Sequence, residues 1–254
     1  MSLEGLEKAV SQARAILRES RYAVAFTGAG ISTPSGIPDF RSSGSGMWEK
    51  FNPMETASLT TFRNHPERFW NWKRPMMLTA WQAEPNPAHL ALARLECAGI
   101  LKAVITQNID GLHQRAGSKN VLEVHGSIET MTCPRCKKSF PSRDFKPVLE
   151  QPGGMPTCPN DHAILKPDVV LFEEALPALV WRQAEEHAKR ADVMLVVGSS
   201  LEVYPAAYLP KMAAETGART IIANLSSTFL DASAEVLLPA DVAQALPAIL
   251  EGLI

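Results

Sequence analysis

The chain has 254 residues, 46% of them hydrophobic, with a net charge of -2 and a pI near 6.3. That length supports one large domain, or one large and one small. The charge balance excludes a global basic field for nucleic acid or anionic membrane, and no apolar run is long enough for a transmembrane helix. Four cysteines in such a chain are not a disulfide framework, which points to a reducing cytoplasm.

In chain order, Leu3 to Glu19 repeats apolar residues at helical spacing. Tyr22 to Phe26 reads as a first buried strand, breaking into the glycine turn of "AFTGAGISTPSGIPDFRSS". From Asn52 to Trp81 the chain is aromatic-rich, with helical stretches at Met54 to Thr60 and Pro66 to Met77. "NPAHLALARLECAGI" is an amphipathic helix stopped by Gly99, and Cys97 on it reads as a core residue. "LKAVITQN" and "VLEVHGS" follow as strands. Met131 to Pro167 holds three of the four cysteines among many prolines and lysines, the texture of a small inserted module. The rhythm then resumes with strand "DVVLFEE", a helix from Pro177 to Arg190, strand "DVMLVVGSS", helix "AYLPKMAAETG", strand "RTIIANLSS" and a last helix in "ADVAQALPAILEGLI".

Continuous Val, Ile and Leu strands alternating with helices predict an α/β fold, a Rossmann-like parallel sheet with helices on both faces. Ligands of such sheets bind beyond the carboxyl ends of the strands. Those ends carry Gly28, Ala29 and Gly30, then Gln107, Asn108 and Asp110, then Gly198, Ser199 and Ser200, then Asn224 and Leu225. The glycines permit close approach to a pyrophosphate at a helix start. Thr33 stands where a third glycine of the dinucleotide fingerprint would be, so the turn alone is incomplete evidence, and the converging polar strand ends add to it. Asp39, Phe40 and Arg41, with His125 at a strand end before Gly126, are reactive types in excess of what hydride transfer needs. Taken alone, Asp39 and Arg41 fit a loop salt bridge and His125 a core histidine.

"GAGISTPSGIPDFRSS", "TQNIDGLHQRAGSKNVLEVHGSIE", "CPRC", "GSSLEVYPAA" and "NLSS" together resemble the sirtuins, over nearly the whole chain. The resemblance implies a discontinuous NAD-binding domain at 1–130 and 168–254. It also implies a zinc-ribbon-like module at 131–167, with a helical part of the small domain at about 45–80. The implied activity is NAD-dependent protein-lysine deacetylation, giving nicotinamide, O-acetyl-ADP-ribose and free lysine. Implied NAD contacts are Gly28, Ala29, Gly30, Asp39, Phe40, Arg41, Gln107, Asn108, Asp110, Gly198, Ser199, Ser200, Asn224, Leu225 and Val242, with His125 and Asn108 catalytic.

Acetylated-lysine peptides would add as a strand near Val170–Glu173 and Val203–Pro205, with no nucleic acid or membrane as partner. Glu173 replaces a family glycine there; it is expected to favour basic peptides, with a narrowed groove as the second alternative. The Tyr-x-x-Arg pair of succinyl- and malonyl-preferring sirtuins aligns with Lys73 and Met76, which implies a neutral acyl group, acetyl first. Cys133, Cys136 and Cys158 match three of the four family zinc ligands. Asp161 at the aligned position ranks ahead of His162 as the fourth, and loss of the metal is the third alternative. Rival functions are a protein mono-ADP-ribosyltransferase, a non-catalytic NAD- or peptide-binding module, and a dehydrogenase.

Overall fold

The structure is a computed structural model that describes residues 3–39, 46–47 and 51–254. Its elements in chain order are α1 (Leu3–Glu19), β1 (Ala23–Thr27), α2 (Pro53–Thr56), α3 (Leu59–Asn64), α4 (Pro66–Gln82), α5 (Pro87–Cys97), β2 (Leu101–Thr106), α6 (Leu112–Arg115), β3 (Val121–Glu123), β4 (Gly126–Thr132) and β5 (Ser139–Pro141). They continue as α7 (Lys146–Leu149), β6 (Lys166–Val169), α8 (Ala178–Arg190), β7 (Val193–Val197), α9 (Tyr208–Glu215), β8 (Arg219–Ala223), β9 (Val236–Leu238) and α10 (Val242–Leu250).

Six strands form one parallel sheet in the order β3-β2-β1-β7-β8-β9. β1 and β7 are buried along their whole length, as strands covered on both faces must be. One face packs on α1, α5 and α10 through residues such as Leu17, Leu92 and Leu246. The other packs on α8 and α9 through Ala184, Ala188 and Leu209. The chain builds outward from β1 on one side and crosses to β7 on the other, so the switch point, where a crevice opens, lies between β1 and β7.

The second lobe has its own antiparallel sheet, β5-β4-β6. Its outer reach passes both ends of the 131–167 segment, since β4 starts at Gly126 and β6 ends at Val169. Its core joins Phe69, Trp70 and Met77 of α4 to Cys133, Cys158 and Leu165. The helical and cysteine-bearing segments therefore share one apolar interior.

Three local expectations are corrected, the first being Cys97, which is exposed at the last position of α5 and not in the core. The helix expected over Met54 to Thr60 is two short helices, because Ser58 leaves the helix and caps α3 by accepting from Thr61 N–H. The strand expected over "DVVLFEE" stops at Val169 and pairs with β4 of the small sheet. Beyond Val169 the chain changes partner, Phe172 bonding Ala57 and Leu59, and Glu173 then turns at φ 75°. No helix among the described residues is long and apolar enough to cross a membrane.

Candidate active site

A cleft of about 2110 Å³ opens at the switch point, between the sheet's carboxyl edge and the second lobe. It brings together Gly28, Ala29, Gly30, Asp39, Gln107, Asn108, Asp110, His125, Gly198, Ser199, Ser200, Asn224, Leu225 and Val242. Phe40 and Arg41 lie outside the described residues.

The β1 turn is glycine because another main chain passes against it. Gly30 N–H donates to Gly198 O at 2.8 Å, and a Cβ on Gly30 would lie 2.8 Å from that oxygen. Gly198 has φ 60°, and a Cβ there would fall 2.2 Å from Ile31 N. Backbone thus meets backbone across β1 and β7, leaving a cradle without side chains, the kind a diphosphate can enter. Gln107 Nε2 donates to Ser199 Oγ at 2.9 Å, tying the β2 tip to the same place.

Beneath the turn lies a buried polar network. Asn108 Nδ2 donates to Gly28 O at 3.0 Å and to Ser32 Oγ at 3.1 Å. Ser32 Oγ donates to Asp110 Oδ2 at 2.7 Å, and Asp110 Oδ1 accepts from Leu112 N–H. Burial pushes the Asp110 carboxyl above the usual range, against these hydrogen bonds. With both amide hydrogens spent, Asn108 keeps only Oδ1 for a ligand, an acceptor dipole suited to a centre becoming positive.

His125 follows β3 and lines the cleft. Its Nδ1 lies 3.1 Å from Gln107 O. A carbonyl only accepts, so Nδ1 carries the proton in the neutral ring and Nε2 holds a free lone pair. Burial lowers the pKa of His125, partly offset by this bond, so the ring is neutral at pH 7. The isolated-histidine alternative, a ring lost in the core, is excluded by this placement.

Around Thr27 lie buried polar residues that do not line the cleft, of which His113 and His89 went unread in the sequence. Thr27 Oγ1 donates to Thr106 and accepts from His113 Nε2 at 2.9 Å, while His113 Nδ1 is buried without a partner among the described residues. His89 is stacked edge-on to His113. Burial holds His113 down at about 3 and His89 at about 4, so both stay neutral. The signal for His89 was present: in Asn86-Pro-Ala-His89 it closes a capping box, Nδ1 accepting from Asn86 N–H. On α4, Lys73 is buried, lines the cleft and has no hydrogen bond or ion pair among the described residues, only Trp72 beneath its ammonium at 5.7 Å. Burial, reinforced by Lys166, holds its amine down at about 7.

At the other end of the second lobe, Cys133, Cys136, Cys158 and Asp161 place one ligand atom each within 4.8 Å of one another. Cys136 and Cys158 sulfurs are 3.6 Å apart, and both Asp161 oxygens lie 3.5 Å from Cys133 Sγ. Three thiols and a carboxylate converging so closely fit a structural zinc ion. His162, exposed and outside this cluster, is not the fourth member.

A strand-switch crevice with a glycine cradle, a neutral imidazole and an oriented amide defines a nucleotide-using enzyme of the Rossmann-like class. The sequence profile of the Sir2 family matches residues 28–205, and the chain belongs to that family. It is 46% identical over 247 residues to "NAD-dependent protein deacylase 2" of Archaeoglobus fulgidus, covering 97% of this chain and 96% of that protein. It is 48% identical over 248 residues to "NAD-dependent protein deacetylase" of Caldivirga maquilingensis, covering 98% and 93%. A Sir2 protein solved with deacetylated p53 peptide and 3'-O-acetyl ADP-ribose superposes with a TM-score of 0.91 at 41% identity, covering 96% of this chain and 99% of that one.

Proposed function

We infer that the protein is an NAD-dependent protein-lysine deacylase that yields free lysine, nicotinamide and an O-acyl-ADP-ribose. The observation that carries this reading is His125, neutral and with no hydrogen bond at Nε2 among the described residues, in one cleft with the glycine cradle and Asn108. NAD supplies a ribose carbon with nicotinamide as leaving group. Gly28, Ala29 and Gly30, with Arg41, would hold the diphosphate. Ser199, Ser200 and Asn224 would meet ribose hydroxyls, and Leu225 and Val242 would line the nucleoside end. Asp39 would face the carboxamide and Phe40 would cover the ribose.

Asn108 Oδ1 favours the charge that develops as the glycosidic bond breaks. His125 Nε2 then takes a proton from a ribose hydroxyl, a role typically worth about 10²–10⁴-fold. Because its pKa is lowered, the base form survives into mild acid. The acid limb of kcat/KM should therefore fall below the ordinary histidine value of 6.5.

An acyl-lysine peptide would pair with the segment after β6. Phe172 spends its N–H on Ala57 O and its C=O on Leu59 N–H. Leu171 spends its N–H on the Glu174 carboxylate and its C=O on Glu174 N–H. Among the described residues no hydrogen bond engages the N–H or C=O of Glu173 or the C=O of Val170, so these are groups left for an added strand, opposite Val203–Pro205.

The test supplies NAD and an acetyl-lysine peptide and looks by mass for O-acetyl-ADP-ribose. The wild type should form it. His125→Ala should lose at least about 10²-fold in turnover with NAD affinity kept within a few fold. Unaltered turnover in that variant removes His125 from the reaction. ADP-ribose left on protein would mark a transferase, and NADH a dehydrogenase.

A further inference from the structure

Glu173 holds a left-handed backbone, φ 75°, that side-chain-bearing residues seldom adopt. Something must fix it there. Its Oε2 accepts from Thr60 N–H at 2.8 Å. Thr60 lies in the first turn of α3, where main-chain donors lack partners within the helix. Ser58, next to the helix, caps Thr61 at 3.0 Å, whereas Glu173 reaches Thr60 from 113 positions away in sequence. A main-chain bridge between Ser58 and Phe172 runs alongside. On the inner side, Glu174 pairs with Lys166 at 2.8 Å and accepts Leu171 N–H. Two consecutive glutamates thus pin the segment, one to α3 and one to β6.

We propose that the Glu173 carboxylate is a positioning group for the acyl-peptide: by capping Thr60 it clamps this edge to α3 and holds the Glu173 main chain out toward the substrate. The proposal rests on the deacylase reading, whose peptide edge it uses. The clamp is a role beside the expected preference for basic peptides, since one N–H of the protein occupies Oε2 and leaves the charge and the second oxygen in place. A glycine reaches the same φ through conformational freedom. This chain reaches it through a side chain that ties the edge to the helical segment, so edge and segment move together.

The experiment measures peptide KM, NAD KM and kcat for Glu173→Gln, Glu173→Gly and Glu173→Ala, with amide hydrogen exchange at Thr60 in each. Glutamine keeps an acceptor oxygen and should rescue the wild-type peptide KM. Glycine loses the clamp but tolerates φ 75°, so peptide KM should rise about two- to threefold. Alanine loses the clamp and keeps the strain, so the rise should be about fivefold or more. Thr60 exchange should quicken in glycine and alanine only, and NAD KM should not follow peptide KM. An unchanged peptide KM in both truncations, or equal rises in peptide and NAD KM, overturns the proposal. If the wild type forms no O-acetyl-ADP-ribose, the deacylase reading fails instead, while Thr60 exchange still reads whether the clamp exists.

Discussion

The two walls of the cleft are fixed by opposite means. The nucleotide wall is rigid because side chains are missing: Gly28, Gly30 and Gly198 let main chain lie on main chain. The wall where the peptide is proposed to add is held by side chains, with Glu173 on Thr60 and Glu174 on Lys166, and Cys133 and Cys158 share its core. A wall made of backbone contact has no room for variation. A wall held by carboxylates and thiols can be retuned one residue at a time. That asymmetry suits an enzyme whose nucleotide is constant and whose peptide varies.

The contrast can be broken hardest at Gly198. Gly198→Ala places a methyl 2.2 Å from Ile31 N at φ 60°, with main chain on the far side that cannot yield. It should cost more than about 3 kcal/mol and abolish NAD binding, measured by denaturant unfolding and calorimetric titration. An alanine variant of wild-type stability that still binds NAD would show that the cradle is looser than its geometry.

On the other wall, stripping metal with a chelator should lower Tm by several degrees while leaving NAD affinity nearly unchanged, because none of the four cluster residues lines the cleft. Asp161→Ala should reduce the zinc-to-protein ratio measured by elemental analysis, and Asp161→Cys should restore it. A full complement of zinc in Asp161→Ala would remove that carboxylate from the ligand set.

The smallest effect is a gain. Lys73→Met replaces a buried ammonium that has no ion pair among the described residues by an apolar chain of similar length and should stabilise by about 1–3 kcal/mol near neutral pH. The folded amine titrates at about 7 against 10.5 unexposed to these effects. Between those values the unfolded chain holds a proton that the folded one has released, so wild-type stability rises with pH. The advantage of Lys73→Met is therefore full below about pH 7 and fades toward pH 10. Urea unfolding at pH 6 and pH 9 checks it, and an equal gain at both would refute the assignment.

The parallel sheet was legible because runs such as "AVAFT" and "VMLVV" leave no helical period. The cleft was legible because small and polar residues end four of those strands. The second lobe was less so. β5 is three residues long among turns, and β9, also three residues, was swallowed by the approach to α10. Short strands carry too little alternation to be read. Glu173 looked like part of a strand because nothing local announces a left-handed glutamate; its partner lies far off in sequence. His89 looked like an ordinary position of an amphipathic helix and His113 was not singled out, since their rings meet only once β2 and β1 lie side by side.

Cys133 and Cys158 share their hydrophobic surroundings with Phe69, Trp70 and Leu171. Neither the aromatic helix nor the cysteine ribbon could exclude water by itself, so the two should melt as a single unit. Scarcity of the ion in a cell would then be felt at a distance, as a slackened seat for acylated lysine, well before the nucleotide half noticed.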